Sequence, residues 1–501
     1  MAHHEIERTY QPGPDQPVPD LSGLPGVVAV GSPQSFELCA TYFDTPDLAL
    51  TRAGVSLRRR TGGADEGWHL KIPSGQGRDE IRLPLARAQR TVPAELRRMT
   101  LGWTRHADLV VIATVVTQRT TYALLDDDAR PLAEFADDRV TATPEGSTEP
   151  IAWREWELEL VTGKPRLLKA ADKLCREAGV PPSDCPRKIV RALGERAPVP
   201  LRIGKVGPGR PAGRVLQSRL VEQVVELLRH DSEIRRGLPV GVHQARVVCR
   251  RLRGALATYR PLVERDVTDP IRAELQWVQR VLGDARDAHV VRARLRALVD
   301  QEEVVIGPVR RRLDQTYRAR SRAAGAVVTE MLASDRYLAL LDELERLAAA
   351  PPWTDEADRP ATALLRKRIY KDWKRLSRRV DALDGTRGDR SAHNDAVHGV
   401  RKAAKRLRYA LEVVEPVWGE QTRPMHKLAK ATTQVLGERQ DTVVARQDLL
   451  SIAAGATAER ENTLTYGRLH HREEVVADKQ EHRFADLWGA ASKRKPTAWL
   501  D

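Results

Sequence analysis

The feature that most constrains this chain is a helical segment that occurs twice, as VHQARVVCRRLRGAL over residues 242–256 and as VHGVRKAAKRLRYAL over residues 397–411. Both copies carry a histidine and three basic residues at matching steps along the helix. These two sets, which we call the first and second basic rails, are His243, Arg246, Arg250 and Arg253, and His398, Arg401, Lys405 and Arg408. At about 100° per residue, each set falls in a stripe roughly 80° wide. One face of each helix is therefore predicted to be basic.

A second stripe on the first of these helices is apolar. Its residues recur at the spacing that buries a helix against its neighbours, and they are Val242, Ala245, Cys249, Leu252 and Leu256. A basic face on such a helix is usually just solvated. Here the basic face occurs in two copies, which favours a functional surface.

The similarity between the two copies continues downstream. The segment LGDARD, which begins at Leu282, follows the first rail, and LGERQD, which begins at Leu436, follows the second. The period of this duplication, from Val242 to Val397, is far longer than the repeat of about 20 to 50 residues in solenoid proteins. The sequence therefore predicts two pseudo-symmetric helical halves, at about 215–350 and 362–500, each presenting one basic rail.

The first 160 residues have a different pattern, in which polar and apolar residues alternate as in β-strands. The segments are EIERTY, CATYFDT, VSLRRRT, GWHLKIP, DEIRLPL, QRTTYALL, LAEFADDRV and WREWELEL. Within most of them the charged residues keep to one parity, as Glu5 and Glu7 or Arg58 and Arg60 do, while the other parity is apolar. An antiparallel sheet with one solvated face would show the same alternation. Because the apolar parity must also be covered, we predict a closed eight-stranded barrel with a charged interior.

An interior that holds many carboxylates and many guanidinium groups indicates a ligand, because desolvated charges need partners. Carboxylates of the first and last strands would hold Mg²⁺ or Mn²⁺, which prefer oxygen ligands. The basic side chains would hold phosphate oxygens. A triphosphate bound through a divalent metal is the expected occupant. His69 shares the charged parity, but it has no motif partner nearby and is predicted to be a hydrogen-bonding residue of the wall.

The strand segments EIERTY, YFDTPDLALTRAGVSLRRRTGG, WHLKIP and WREWELEL resemble the CYTH domain, the triphosphate tunnel metalloenzyme family. The two rail helices, with their H-x-x-R-x-x-x-[KR]-x-x-R pattern, resemble the CHAD domain. The resemblance implies a CYTH-like tunnel over residues 1–195, a linker over 196–214 and a CHAD-like helical domain over 215–500. It implies hydrolysis or binding of triphosphate groups with a divalent metal in the first domain. In the second it implies binding of inorganic polyphosphate by the two rails.

Carried onto this sequence, the resemblance assigns roles to individual residues. The catalytic positions are Glu5, Glu7, Arg58, Arg60 and Lys71. Further substrate-binding positions are Arg82, Arg119 and Lys188, and the metal ligands are Glu5, Glu7, Asp138, Glu157 and Glu159. The family motif ExExK falls on Glu5, Glu7 and Thr9, so the expected lysine is missing. A polyphosphate-binding protein whose tunnel does not turn over is therefore an alternative.

The remaining sequence divides the chain into an α+β protein of two domains. PRLLKAADKLCREAG, over residues 165–179, predicts a helix after the last strand, with Gly179 ending it. Residues 195–214 are rich in proline and glycine and have no periodicity, as in a linker. From Leu216 onward apolar residues recur at helical spacing, with a break at Pro351 and Pro352 and another in the segment GTRGDRSAHN.

Charge and cysteine content limit the class of function. The formal net charge of +14 points to an acidic partner. A nucleic acid is disfavoured, because aromatic residues for base stacking make up only 5% of the chain. Four scattered cysteines, the lack of an apolar run long enough to span a membrane and the lack of a signal-peptide pattern favour the cytoplasm. The resemblance to the CHAD domain implies association with polyphosphate granules there. An organic triphosphate, such as thiamine triphosphate or a nucleotide, is an alternative substrate.

Overall fold

The computed structural model describes residues 2–75, 77–86, 90–185, 187–201, 203–386, 388–493 and 496–500, without the side chains of residues 2, 492 and 493. The chain divides into two compact units, Met1–Pro200 and Leu201–Asp501. Among the described residues, no helix combines the length and apolar character needed to cross a membrane.

The first unit is built on antiparallel strands. They are β1 (Ala2–Glu5), β2 (Glu7–Tyr10), β3 (Ala29–Val30), β4 (Gln34–Asp44), β5 (Ser56–Thr61), β6 (Gly67–Ser74), β7 (Gly77–Leu83), β8 (Val110–Leu125), β9 (Pro131–Pro144) and β10 (Ile151–Leu160). The strand order is β1-β7-β6-β5-β4-β8-β9-β10-β2, and the short β3 pairs with β8. Each of the eight predicted strand segments falls on strands of this sheet.

Closure of the sheet depends on its first strand segment. β1 pairs with β7, from Ala2 opposite Ile81 to Glu5 opposite Arg78. After Ile6, β2 pairs instead with β10, with Glu7 opposite Glu159. The two ends of the sheet are thereby joined through one continuous segment. The described sheet is a nearly closed barrel, as predicted, and counts eight strands when β1 and β2 are taken as one and β3 is set aside.

Helices cover part of the outer face of the barrel, which is formed by the apolar side chains of the strands. The predicted helix is observed as α3 (Arg166–Glu177), after α1 (Ala49–Arg52) and α2 (Ala94–Thr104). Leu167 and Leu168 of α3 pack against a cluster that includes Trp156 and Leu158. Helix α2, which was not predicted, buries Leu96, Met99 and Trp103 at helical spacing. This burial explains why that segment is not a strand.

A short helix, α4 (Lys188–Leu193), completes the first unit. Its residues Ile189, Ala192 and Leu193 are buried in a cluster with Tyr42 and Val115 of the barrel wall. Ile189 and Lys188 both line the interior cavity of the barrel. The packing of this helix therefore fixes where the Lys188 side chain enters the barrel.

The second unit is helical. Its helices are α5 (Ala212–Arg235), α6 (Pro239–Thr258), α7 (Arg265–Asp300), α8 (Val309–Ala333), α9 (Asp335–Ala349), α10 (Ala361–Asp381), α11 (Arg390–Trp418), α12 (Arg423–Ala458) and α13 (Leu464–Lys493). Pro351 and Pro352 lie between α9 and α10, as predicted. The second predicted break is shorter than expected, because Asp389 accepts hydrogen bonds from the amides of Ser391 and Ala392 and so starts α11 within it.

The rail helices α6 and α11 pack against each other in this unit. Ala245, Cys249, Leu252 and Leu256 of α6 are buried, and Val242 is half-buried. The hydroxyl of Tyr259, just after α6, donates to the carbonyl of Ala410 in α11 at 2.7 Å. This contact between repeated elements brings the two basic rails close together.

Candidate functional site

The barrel encloses a cavity of about 430 Å³ whose lining is mostly charged. Of the residues predicted for this site, those that line it are Glu5, Glu7, Arg58, Arg60, Lys71, Arg82, Arg119, Glu157, Glu159 and Lys188. Asp138 is fully buried in the wall, in contact with Arg119 and Lys188. The cations come mainly from β5 to β8 and the carboxylates mainly from β1, β2, β9 and β10. The cavity therefore has a basic side and an acidic side.

On the basic side, two arginines of β5 lie close together. Arg58 donates to the Tyr42 hydroxyl at 3.3 Å, and no carboxylate of the described residues lies within ion-pair distance of it. Arg60 is buried and forms an ion pair with Asp65. Burial, together with the charges of Arg58 and Arg119, lowers the pKa of Arg60 to about 9. The basic side therefore gathers more positive charge than its own carboxylates balance.

Lys71 and Arg82 connect the basic side to Glu5. The Lys71 ammonium lies 2.6 Å from one Glu5 oxygen, and Arg82 lies 3.6 Å from the other. Burial raises the pKa of Glu5 to about 7, although Lys71 opposes the shift. Glu80 lies beside this pair and ion-pairs with Lys71 and Arg82. A buried carboxylate is thus held at the border between the two sides.

His69 occupies the wall, as the sequence predicts. Its Nδ1 lies 2.7 Å from a Glu80 oxygen, and its Nε2 lies 2.8 Å from the carbonyl oxygen of Asp65. Burial lowers its pKa to about 4. With both ring nitrogens engaged, His69 orients Glu80.

The acidic side presents a row of three carboxylates on adjacent strands. Glu159 of β10 is opposite Glu7 of β2 on one side and Glu134 of β9 on the other. Burial raises the pKa of Glu159, and the charges of Glu7 and Glu157 add to the effect against that of Lys71. Glu7 lies 3.2 Å from Arg78. Carboxylates on adjacent strands with few cations nearby offer the oxygen ligands that a divalent metal such as Mg²⁺ or Mn²⁺ prefers.

A second group of carboxylates surrounds Lys188. Its ammonium lies 2.9 Å from Asp138, 2.5 Å from Glu155 and 2.6 Å from Glu157. Arg119 also contacts Asp138 and Glu157. Burial works against the charge on Lys188, but the three carboxylates raise its pKa well above the usual value. The same two cations hold the pKa of Glu157 well below its usual range despite burial.

The basic rails form the candidate site of the second unit. Arg246 of the first rail donates to the carbonyl oxygen of Gly283 at 3.3 Å and to Asp287 at 2.9 Å. A methyl group at Gly283 would lie 3.5 Å from the Arg246 guanidinium, and one at Gly437 would lie 3.5 Å from that of Arg401. Each rail arginine thus lies over the duplicated glycine of the neighbouring helix, α7 or α12, at a distance at which a methyl group would make ordinary van der Waals contact.

At the centre of the rails, Arg250, Arg401 and Lys405 have no carboxylate of the described residues within ion-pair distance. Burial lowers the pKa of Lys405 to about 7, and the charges of Arg401, Arg250 and Arg246 add to the shift. The charge of Asp441 opposes this shift only in part. Residues of both rails thus act on one another, and in the described part of the chain no carboxylate pairs directly with the three central cations.

The outer members of the rails are partly engaged within the protein. Arg253 donates to Gln276 at 2.8 Å, and Arg408 donates to Glu412 at 3.2 Å. His398 contacts Gln440 at 3.1 Å. Burial and the rail cations lower the pKa of both His243 and His398. The unsatisfied charge is therefore concentrated in the central residues.

Comparisons with known proteins match both halves of the chain. The family model for the CYTH domain matches residues 4–184, and that for the CHAD domain matches residues 218–450. The uncharacterized protein Rv2226 of Mycobacterium tuberculosis (strain ATCC 25618 / H37Rv) is 34% identical over 499 residues, which cover 95% of this chain and 94% of that protein. The chain belongs to the CYTH–CHAD family.

Two solved structures are similar to parts of this CYTH–CHAD protein. PptA from Streptomyces chartreusis has 26% identity and a TM-score of 0.47, covering 56% of this chain and 99% of its own. The CHAD domain from the plant Ricinus communis has 23% identity and a TM-score of 0.44, covering 61% of this chain and 96% of its own. CYTH domains are generally triphosphate tunnel metalloenzymes, and CHAD domains are generally linked to polyphosphate.

Several residues of the CYTH tunnel were not among the predicted site residues. Glu80, Glu134 and Glu155 lie on the charged parity of their strands, so the alternation could have identified them. Asp65 and Tyr42 gave no such signal, because one is in a loop and the other is on a mostly apolar strand.

Proposed function

We propose that the CYTH domain hydrolyses inorganic triphosphate or the ends of polyphosphate with a divalent metal, and that the CHAD domain binds polyphosphate chains. The observation that carries the proposal is the division of one cavity into a basic side and an acidic side. A metal-bound triphosphate has both charges to match, because its oxygens are anionic and its metal is cationic. A ligand that carries both charges therefore accounts for the presence of a basic side and an acidic side in the same cavity.

The metal is proposed to bind on the acidic side, between Glu5, Glu7 and Glu159. The row of register neighbours formed by Glu7, Glu159 and Glu134 has the donor chemistry of a Mg²⁺ or Mn²⁺ site. When bound, the metal would neutralise charge on the phosphate oxygens and lower the pKa of a bound water. Removal of the metal by a chelator is expected to abolish hydrolysis.

The protein's own cations are proposed to hold the phosphate chain. Arg58 and Arg60 would bind non-bridging oxygens from β5, with Lys71, Arg82 and Arg119 completing the set. Phosphoryl transfer requires mainly positioning and electrostatic stabilisation, so no covalent nucleophile is needed. Arg58 is central to this role, because it has no carboxylate partner among the described residues and is free to bind phosphate.

In the CHAD domain the two rails are proposed to bind one polyphosphate chain. Arg250, Arg401 and Lys405 would supply the main contacts, and His243, Arg246, Arg253, His398 and Arg408 would extend the surface. Phosphate contacts of this kind do not read bases, which fits a polymer that has none. We propose a cytoplasmic location at polyphosphate granules, and the four free cysteines suit a reducing compartment.

The second candidate function is polyphosphate binding with an inactive tunnel. Thr9 favours it, because the family motif has a lysine at this position and a threonine cannot supply the charge. Thr9 lies opposite Glu157 in the paired strands, and its buried hydroxyl has no hydrogen-bond partner among the described residues. The two candidate functions differ only in whether the tunnel hydrolyses its substrate.

Orthophosphate release from inorganic triphosphate by Arg58→Met and Arg59→Met variants tests the first candidate. Loss of one charge-stabilising donor typically lowers the rate by about 100-fold or more, so kcat/KM of Arg58→Met should fall by that factor. Arg59 is the matched control, because it is the next residue of β5 and does not line the cavity. Its variant should stay within about threefold of wild type. Equal effects of both substitutions would contradict binding of triphosphate at the basic side.

A further inference from the structure

We infer that the ammonium group of Lys188 occupies the place of a divalent cation among Asp138, Glu155 and Glu157, so that the tunnel binds a single metal, on the side of Glu7 and Glu159. This inference rests on the proposed function and deepens it, because it fixes how many metal ions the site can hold. It also divides the predicted metal ligands into two groups with different cations.

The geometry around Lys188 is that of a filled cation site. Oxygens of Asp138, Glu155 and Glu157 lie within 4.8 Å of one another, close enough to share a metal ion. The Lys188 ammonium lies 2.5 to 2.9 Å from an oxygen of each. The ammonium donates a hydrogen bond to Glu157 and forms ion pairs with Asp138 and Glu155.

The remaining oxygens of this group are engaged as well. Arg119 donates to both oxygens of Asp138 and to the second oxygen of Glu157. The indole of Trp153 donates to the second oxygen of Glu155 at 2.6 Å. A metal ion placed here would have to displace these donors and would lie beside an ammonium of the same sign. The backbone that carries Lys188 is held at the barrel wall, because the adjacent Ile189 is buried in the barrel cluster.

The carboxylates nearer to Glu7 have fewer cationic partners than those around Lys188. The nearest positively chargeable group to Glu159 is His3, at 3.9 Å. Glu134, its register neighbour, has no ion pair among the described residues. Among the described residues that line the cavity, Glu134 and Glu159 are therefore left without a lysine or arginine partner, and this is the side on which we place the single divalent ion.

Lys188 also contacts the carboxylate that lies opposite Thr9. The missing motif lysine would have stood on β2 opposite Glu157. Lys188, which the family resemblance assigns to this chain as a position of its own, lies 2.6 Å from Glu157. Glu157 therefore has a cationic partner inside the tunnel although position 9 carries no charge.

The test counts the Mn²⁺ ions bound to the full-length protein. Electron paramagnetic resonance measures the free Mn²⁺, and the bound Mn²⁺ is the difference between the total and the free ion. Wild type should bind one Mn²⁺ per chain. Lys188→Met should bind two, because removal of the ammonium opens the second group of carboxylates. Lys173→Met is the control and should bind one, since Lys173 is exposed on α3 and lies 3.7 Å from Glu177 only.

Lys188→Met leaves three buried carboxylates without their ammonium, so its folding is followed by circular dichroism with and without Mn²⁺. A variant that folds only with the metal, and then holds two ions, has the expected behaviour. Lys188→Gln, which keeps a donor without a charge, is counted in the same way. Two ions in wild type, or one in both Lys188 variants, would overturn the inference and leave the proposed function standing. No ion in wild type would overturn the metal-dependent function as well.

Discussion

Lys405 lies where the two basic rails meet, and its surroundings in the free protein disfavour the charged form of its side chain. Burial and the three nearby arginines Arg401, Arg250 and Arg246 lower its pKa to about 7, while Asp441 only partly opposes the shift. A bound polyanion would favour the charged form and raise this pKa again. The proposed binding of polyphosphate is therefore predicted to be coupled to proton uptake by Lys405.

The affinity of the CHAD domain for long-chain polyphosphate is predicted to fall as the pH rises from 6.5 to 8.5. Below pH 7 free Lys405 is already charged, whereas above it binding must also protonate the side chain. The dissociation constant should rise by about tenfold across this range. The pKa values of His243 and His398 are also lowered, so any proton that these side chains take up on binding adds to the pH dependence with the same sign.

Isothermal titration calorimetry in buffers with different ionisation enthalpies measures the proton uptake directly at pH 7.5. Lys405→Arg is the matched variant, because arginine keeps its charge throughout the range. It should flatten the pH dependence. A wild-type protein that takes up no proton on binding would contradict the role given to Lys405.

Which strand residues face the interior of the barrel was largely predictable, whereas the residues that they contact there were not. Alternation identifies Glu5, Lys71 and Glu157 as inward-facing residues, because side chains of a strand alternate between two faces. It does not tell which residues meet across the barrel. That Lys71 contacts Glu5, and Lys188 contacts Glu157, depends on long-range strand pairing and on the packing of α4.

These contacts also depend on local irregularities in the strands. The segment of β1 and β2 changes partner at Ile6, and Gly77 lies so close to it that a methyl group there would overlap the carbonyl oxygen of Glu5. No periodicity in the sequence predicts a change of partner in mid-strand. The repeat that produced the rails was predictable, but the contact between α6 and α11 was not, because it depends on tertiary packing.

Removal of the three central rail cations is predicted to weaken polyphosphate binding strongly. At about 1 kcal/mol for each lost phosphate contact, the triple variant Arg250→Ala, Arg401→Ala, Lys405→Ala should bind long chains roughly 100-fold more weakly. Its turnover of inorganic triphosphate should be unchanged. Fluorescence anisotropy with a labelled polyphosphate of defined length measures the affinity.

A charge-matched control separates specific contacts from overall charge. Lys367, Lys371 and Lys430 are exposed on α10 and α12, so the triple alanine variant at these positions removes the same net charge. It should change the affinity by less than about threefold. If both triple variants weaken binding equally, the rails are not a defined binding site and only the net charge of +14 attracts the polymer.

At the scale of the whole molecule, the chain joins two units whose sites suit the same phosphate chemistry. The barrel has matched acidic and basic sides, which suit a metal-bound triphosphate, whereas the rails have excess positive charge, which suits a long anionic chain. The family and the two fold types follow from local patterns in the sequence. The ion-pair network of the tunnel does not, because it depends on contacts between residues far apart in the chain.

The central claim is that the tunnel hydrolyses triphosphate with a divalent metal. The most direct test is orthophosphate release from inorganic triphosphate by the full-length protein, with Mg²⁺, with Mn²⁺ and with chelator, alongside a Glu5→Ala, Glu7→Ala double variant. We predict release that requires metal and is lost in the double variant. Equal release by wild type and double variant, or no release by a folded wild-type protein that still binds polyphosphate, would contradict it.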